Sequence, residues 1–338
     1  MAERKLFHSA MVLLRGAAGK PADEPPAHFP LHWLSDLDSE QAADMAHLWG
    51  GLPAESRRDL MGRMEEEARE NFELDFLAVA RIALNDPDPE VRIHAIRAFW
   101  ECGDTRLVDR FLKFLEQDSD PAVRAAAASA LGTFVERAEL EEIPAEFGRR
   151  IVDRLIAVIR GTDELDVRRR AVESLGYSSD PQVPAILETA NAHAEERMRA
   201  GALLAMGRSA DAAWSSLILE ELRSSSPALR AEAARAAGAL GLRNAVPSLI
   251  ELLEDVDDGV RAGAIEALGE IGGGPAREAL EKALQQSTGG EWDRIDTALE
   301  NAEFQDSLGD LPMLNLEGEE EGDEEEDAFP DADDDGEA

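Results

Sequence analysis

The chain has 338 residues and a formal net charge of −38, with 44% hydrophobic residues but only 5% aromatics. So acidic a surface lacks the Lys and Arg needed to neutralise phosphates, which argues against nucleic acid and an anionic membrane as partners and is compatible with a basic protein. The single cysteine, Cys102, leaves no intramolecular disulfide and fits a reducing compartment.

The N-terminus places Arg4 and Lys5 ahead of the apolar run AMVLL. That run is too short for a secretory signal, and no stretch approaches a membrane span. The expectation is a cytoplasmic protein. Residues 1–32, with the Pro-rich KPADEPPAHFP, read as a flexible arm. Residues 33–72 read as two N-terminal capping helices. The first runs from a Ser39 cap through Trp49, and the second from Pro53, in its first turn, to about Asn71. Neither is assigned a repeat arginine. Their place is that of the cap that shields the first unit of a repeat array.

From residue 73 to 304 the chain repeats. An arginine returns in one setting: DPDPEVR ending at Arg92, DSDPAVR at Arg124, DELDVR at Arg168, AEERMR at Arg199, SSPALR at Arg230 and DVDDGVR at Arg261. The steps are 32, 44, 31, 31 and 31 residues, and an alanine follows each arginine three residues later. A period of this size marks stacked helix pairs. The first helix of a pair carries apolar residues at helical spacing, as in Val108, Phe111, Leu112 and Leu115, or Val246, Leu249, Ile250 and Leu253. The second starts at a cap. Asp88, Asp120 and Ser226 each precede a proline, which puts every repeat arginine in the first turn of its helix.

A cation there sits at the unfavourable end of the helix dipole. The residue four places earlier is acidic in five of six units: Asp88, Asp120, Glu164, Glu195 and Asp257, with Ser226 the exception. The expectation is a ladder in which these caps also face the arginine of their own or the next unit, so the six arginines are structural. Position +8 is Gly132, Gly176, Gly207, Gly238 and Gly269, with Trp100 in the first unit. Glycine there fits a helix end or a close backbone crossing. The 44-residue step holds an insertion near residues 135–148, read as a loop or longer helices on one face. Residues 305–338 read as a disordered acidic tail, with 14 Asp or Glu among the last 22 residues and no Lys or Arg. Within residues 317–338 Phe329 is the one large apolar side chain, a candidate anchor of a short linear motif.

The pattern VRAAAASALG (123–132), VRRRAVESLG (167–176) and VRAGAIEALG (260–269) resembles HEAT repeats, specifically the short HEAT-like repeats of phycobilisome bilin lyases. The resemblance covers about residues 73–304. It implies an all-α fold, a right-handed α-solenoid of antiparallel helix pairs with the second helices lining the concave side. Deoxyhypusine hydroxylase, also HEAT-like, binds iron through His-Glu pairs. None of the six histidines here precedes a glutamate, so no metal and no cofactor is expected.

Positions +2, +5 and +9 from the arginine fall opposite the core face of the second helices. Arg97, Trp100, Arg170, Tyr177, Arg208 and Arg235 on or beside this stripe are the candidate partner-binding residues, because Tyr, Trp and Arg dominate interface hot spots. The competing reading is a solvated face of local ion pairs. The functional expectation is a non-enzymatic scaffold holding a protein or peptide on its concave face, the acidic tail modulating binding. No catalytic residue is assigned. The alternative is a bilin-lyase-type subunit that binds a tetrapyrrole. Oligomeric state stays open.

Overall fold

Four second helices open at a residue whose side chain caps them, and these caps fix where the chain turns, whereas Glu164 and Glu195 before α9 and α11 make no capping bond. Asp88, Asp120 and Asp257 each accept two backbone N–H bonds in their own first turn, and Ser226 accepts one. Pro89, Pro121 and Pro227 stand just after their caps, where a missing N–H costs nothing. The computed structural model describes residues 2–17 and 30–309, and every regular element among them is helical.

The helices come in antiparallel pairs along the chain. After α1 (Ala2–Ala17) come α2 (Ser39–Trp49) with α3 (Ala54–Glu70), α4 (Leu77–Ala83) with α5 (Pro89–Arg97), and α6 (Arg106–Gln117) with α7 (Pro121–Glu139). Then follow α8 (Ala145–Arg160) with α9 (Leu165–Leu175), α10 (Val183–Asn191) with α11 (Glu196–Arg208), and α12 (Ser215–Glu221) with α13 (Pro227–Ala239). The array ends in α14 (Val246–Leu252) with α15 (Asp258–Ile271), and α16 (Gly274–Leu284) with α17 (Gly290–Gly309). The second helices stack directly on one another from α3 to α17, whereas the first helices touch their neighbours sparsely. The array therefore curves with its second helices inside. The result is an all-α solenoid.

Several details differ from the sequence reading. The arm expected over 1–32 contains α1, whose Phe7, Ala10, Met11 and Leu14 are buried at helical spacing, and the helix packs on α2 and the short turn Leu31–Leu34. The Pro-rich run after it lies outside the described residues, apart from Pro30. The cap of α2 is Asp38, which forms a capping box with Gln41, and not Ser39. Pro53 is the residue before α3, not a member of its first turn. Of the two forms expected for the insertion, a loop or longer helices, it takes the second and lengthens α7 and α8. At the far end α17 continues to Gly309, into the segment read as tail; the rest of that segment, with the acidic block and Phe329, lies outside the described residues.

The ladder exists, but with other carboxylates. Arg92 grips Asp118 with Nε at 3.0 Å and Nη2 at 2.8 Å, and Arg230 grips Asp255 at 2.8 and 2.9 Å. Arg124 grips Asp163 in the same way, and Arg261 bonds Glu291 at 2.9 Å. The partner is thus an acid from the loop or helix start of the following unit, not the cap. Asp118 and Asp255 stand two residues before their caps, where each also accepts the cap residue's own N–H. The third nitrogen of each arginine turns back. Nη1 of Arg92, Arg124, Arg230 and Arg261 donates at 2.9 Å to the carbonyl six residues earlier. Arg57 fills the same place in α3: it grips buried Asp86 at 2.7 and 3.0 Å, and Trp49 Nε1 donates to the same carboxylate. It escaped the sequence pattern because Leu60, not alanine, follows it three residues on.

Stacking of the second helices explains the glycines. A Cβ on Gly269 would lie 2.8–3.0 Å from backbone and Cβ atoms of Ala298 on α17, and one on Gly176 would lie 2.5–2.6 Å from the backbone of Ala205. Phe99, Phe111 and Phe134 bridge the first units edge to face, with centroids 6.1 Å apart.

Gly269→Ala is expected to destabilise the C-terminal pairs by about 1–3 kcal/mol, because backbone and not a flexible side chain must move; chemical denaturation measures it. The Arg230 hydrogen bonds hold the Asp255 carboxyl below its usual 3.8. A depressed acid stabilises the fold above its unfolded-state value, and that contribution is lost as pH falls through the folded value. Asp255→Asn is expected to lose about 3 kcal/mol at neutral pH, since it strands a mostly buried arginine. Its thermal melts should also show a shallower decline below about pH 4 than the parent's.

Candidate functional site

The second helices carry small residues where they face the concave side, and the space above them is open. A cleft of about 780 Å³ crosses α3, α5, α7 and α9 there. Its floor is the outer face of α7: Ala122, Ala125, Ala126, Ser129, Ala130 and Thr133. One wall carries Glu65 and Arg69 from α3 with Arg97 and Trp100 from the end of α5. The other carries Glu164, Asp166, Arg169 and Arg170 at the start of α9, and Arg197 from α11. Five arginines face three carboxylates, so the cleft is locally cationic in a chain of net charge −38.

Trp100 shapes this cleft. It occupies the place that glycine holds in the other units, where the neighbouring helix crosses closely. An indole does not fit such a crossing. α5 accordingly ends at Arg97, and the indole turns outward, 41% exposed. Arg97 is exposed beside it and makes no side-chain hydrogen bond or ion pair among the described residues. Most of the remaining wall charges are held in place. Arg69 pairs with Glu65 at 2.8 Å, and Glu65 also meets His94 Nδ1 at 2.7 Å. Arg197 pairs with Asp166 at 2.8 Å.

The far wall is anchored on Glu173, a carboxylate only 3% exposed. It accepts from Arg169 and, at 2.8 Å, from Arg170. Arg208 donates to the Glu173 backbone carbonyl at 3.1 Å and lies 4.9 Å over the Tyr177 ring. Burial pushes the Tyr177 hydroxyl up. Farther along, Arg235 bonds Glu232 at 3.1 Å and approaches Glu266 at 3.7 Å. Burial raises the carboxyls of Glu232 and Glu270, with the charge of Glu266 adding to the effect at Glu270.

Of the six residues singled out from sequence, Arg97, Trp100 and Arg170 line the one cleft. Tyr177 and Arg208 form a stacked pair behind its far wall, and Arg235 belongs to a separate ion-pair cluster. Sequence reasoning missed Arg69, Arg169 and Arg197. Arg69 and Arg169 pair within their own helices, with Glu65 and Glu173, but the groups that join them in the cleft come from other units, and no spacing along the chain announces that. The alanine-rich floor was visible in PAVRAAAASALGT, which has no large residue on one helix face. Among the described residues no group of three or more His, Cys, Asp or Glu could hold a metal ion, and no helix is long and apolar enough to cross a membrane.

Glu173→Ala is expected to release Arg169 and Arg170 from one wall of the cleft and to cost about 3–5 kcal/mol. Urea denaturation gives the loss of stability, and Glu173→Gln should recover part of it by keeping a hydrogen-bond acceptor.

The family model for HEAT repeats matches residues 77–143 and 215–300. No curated protein matches the sequence. Among solved structures, the chain is similar to the complex of CpcE and CpcF of phycocyanin lyase from Nostoc sp. PCC7120, with 20% identity over 67% of this chain and 94% of that one and a TM-score of 0.45. It is also similar to YibA of E. coli, with 18% identity over 74% and 98% of the two chains and a TM-score of 0.41. Importin beta gives 15% identity over 89% of this chain and 47% of that one, with a TM-score of 0.46. None of these likenesses bears on function.

Proposed function

From a chain that carries HEAT repeats at residues 77–143 and 215–300, we propose a non-enzymatic scaffold that seats an extended protein or peptide segment in the concave cleft. The observation that supports this most is the placing of Arg97, which has no side-chain partner among the described residues, beside exposed Trp100 above an alanine floor. A cation without a carboxylate in so acidic a chain is suited to a carboxylate from outside. An exposed indole over small residues is suited to an apolar side chain. The seated segment is therefore acidic with an aromatic or aliphatic anchor. A basic partner, which the overall charge invites, is suited to the outer surface instead.

The chain's own tail has the composition of such a segment, with Phe329 and Pro330 among its carboxylates. Its 29 residues beyond Gly309 reach about 95 Å when extended. Five steps from α17 to α7, each about 10 Å, are within that length. The tail is proposed to compete with the partner for the cleft.

A synthetic peptide of residues 317–338, titrated calorimetrically into protein ending at Leu316, tests the reading. Saturable binding that weakens with salt is expected. Arg97→Glu and Trp100→Ala should each weaken it about tenfold or more, the equivalent of about 1.4 kcal/mol. Absence of binding at low salt, or binding unchanged in both variants, removes the cleft as the docking place. Titration with a bilin, followed by absorption, tests the tetrapyrrole alternative in the same protein.

A further inference from the structure

The arginine ladder fails twice, and both failures lie in the middle of the array. Among the described residues Arg168 keeps a single side-chain hydrogen bond, from Nε to the Ile159 carbonyl at 3.1 Å. Arg199 has none there, and its Nε is buried without a partner. Asn191 Oδ1, in the same helix pair, is buried and unpaired as well. No other buried side-chain nitrogen or oxygen is unpaired among the described residues.

The cause is visible in register. Two residues before the cap, where other units place Asp86, Asp118 and Asp255, stand His193 ahead of Glu195 and Ser224 ahead of Ser226. His193 keeps half of the aspartate's role, because its Nδ1 accepts the Glu195 N–H at 3.0 Å. Ser224 keeps a different half. Its carbonyl accepts Arg230 Nη1 at 2.9 Å, as the carbonyls of Asp118 and Asp255 accept Arg124 and Arg261. The backbone at Ser224 is thus in the ladder geometry, and only the anion is lacking. The Ser224 hydroxyl makes no hydrogen bond among the described residues.

We propose that Ser224 is a phosphorylation site whose phosphate supplies the missing anion to Arg199. A phosphoserine carries close to two negative charges and three strong acceptors, and it suits a guanidinium whose buried Nε is unpaired. The position also lies just ahead of the N-terminus of α13, where the dipole favours an anion. The two neighbouring serines do not serve. Ser226 Oγ accepts the Leu229 N–H as the cap of α13, and Ser225 is exposed and out of ladder register. Ser224 is half-buried, and exposed Arg223 and Ser225 flank it, so the loop is open to an enzyme.

In the modification a protein kinase moves the γ-phosphoryl group of a nucleoside triphosphate to Ser224 Oγ. The Oγ–P bond forms as the bond to the bridging oxygen breaks, the hydroxyl proton passes to the kinase's base, and nucleoside diphosphate leaves. The closed rung fixes α11 against α13. Since Arg197 at the head of α11 lines the far wall of the cleft, phosphorylation stiffens the support of that wall.

The test uses full-length protein with phosphoserine incorporated at position 224 by a suppressor tRNA, alongside Ser224→Asp, which recreates the ladder residue. Both are expected to raise Tm by about 2–4 °C and to slow amide exchange in α10–α13. Both gains should vanish in an Arg199→Gln background, and phosphoserine at position 225 should give neither. Should Arg199→Gln melt too early to compare, phosphorus NMR gives a second reading. The phosphate at 224 should titrate below that at 225, because Arg199 favours its dianion. No gain at 224, a gain that survives loss of Arg199, or equal titration at 224 and 225 overturns the proposal.

Discussion

A guanidinium in the first turn of a helix opposes the helix dipole, and the rest of this structure depends on how that conflict is resolved. The arginine reaches across to a carboxylate of the following unit and back to a carbonyl six residues behind. Two loops and a helix start are thereby fixed in one arrangement. In the rungs at Asp118 and Asp255 the carboxylate also accepts the N–H of its own unit's cap, so it shapes one turn while it holds the arginine of the unit before. The bond is bidentate and mostly sheltered, which makes it directional as well as strong. It sets the rotation of each unit on the last.

That rotation brings the second helices close enough to require glycine at their crossings and alanine opposite. The first helices, spread on the outer curve, bring bulk such as Phe111, Phe114 and Leu115 on α6, whereas the second helices meet one another through glycine and alanine at their crossings. Curvature thus follows from residue size on the two sides of each pair. Where Trp100 replaces the crossing glycine, α5 stops early and the concave surface opens into the cleft. The anchor of the opposite wall, Glu173, is buried deeply enough that its arginines are held in fixed positions. The cleft joins one rigid wall to one wall with a cation unpaired among the described residues, a combination suited to recognition of a flexible segment.

The array is uneven in its support. Rungs are complete from Arg57 to Arg124 and again from Arg230 to Arg261, and the gap between them coincides with His193 and Ser224. In a structure where each unit contacts mainly its neighbours, a missing rung weakens one seam and leaves the rest unaffected. The seam adjoins the cleft, so a change of charge there acts on the part of the molecule that faces a partner.

The sequence by itself determined the period, the caps at Asp88, Asp120, Ser226 and Asp257 and the positions of the six repeat arginines, because these are local: proline after a cap, arginine four residues on, glycine at +8. The same locality explains its errors. The buried spacing of Phe7, Ala10, Met11 and Leu14 in α1 was hidden by an arm-like context, and Arg57 by its following Leu60. Only the tertiary structure decided which carboxylate each arginine meets, since the partner comes from the next unit, 25 to 39 residues away. It alone assembled Arg97, Trp100 and Arg170 with Arg69, Arg169 and Arg197, from units whose separation along the chain carries no information about which side chains meet across the inner curve.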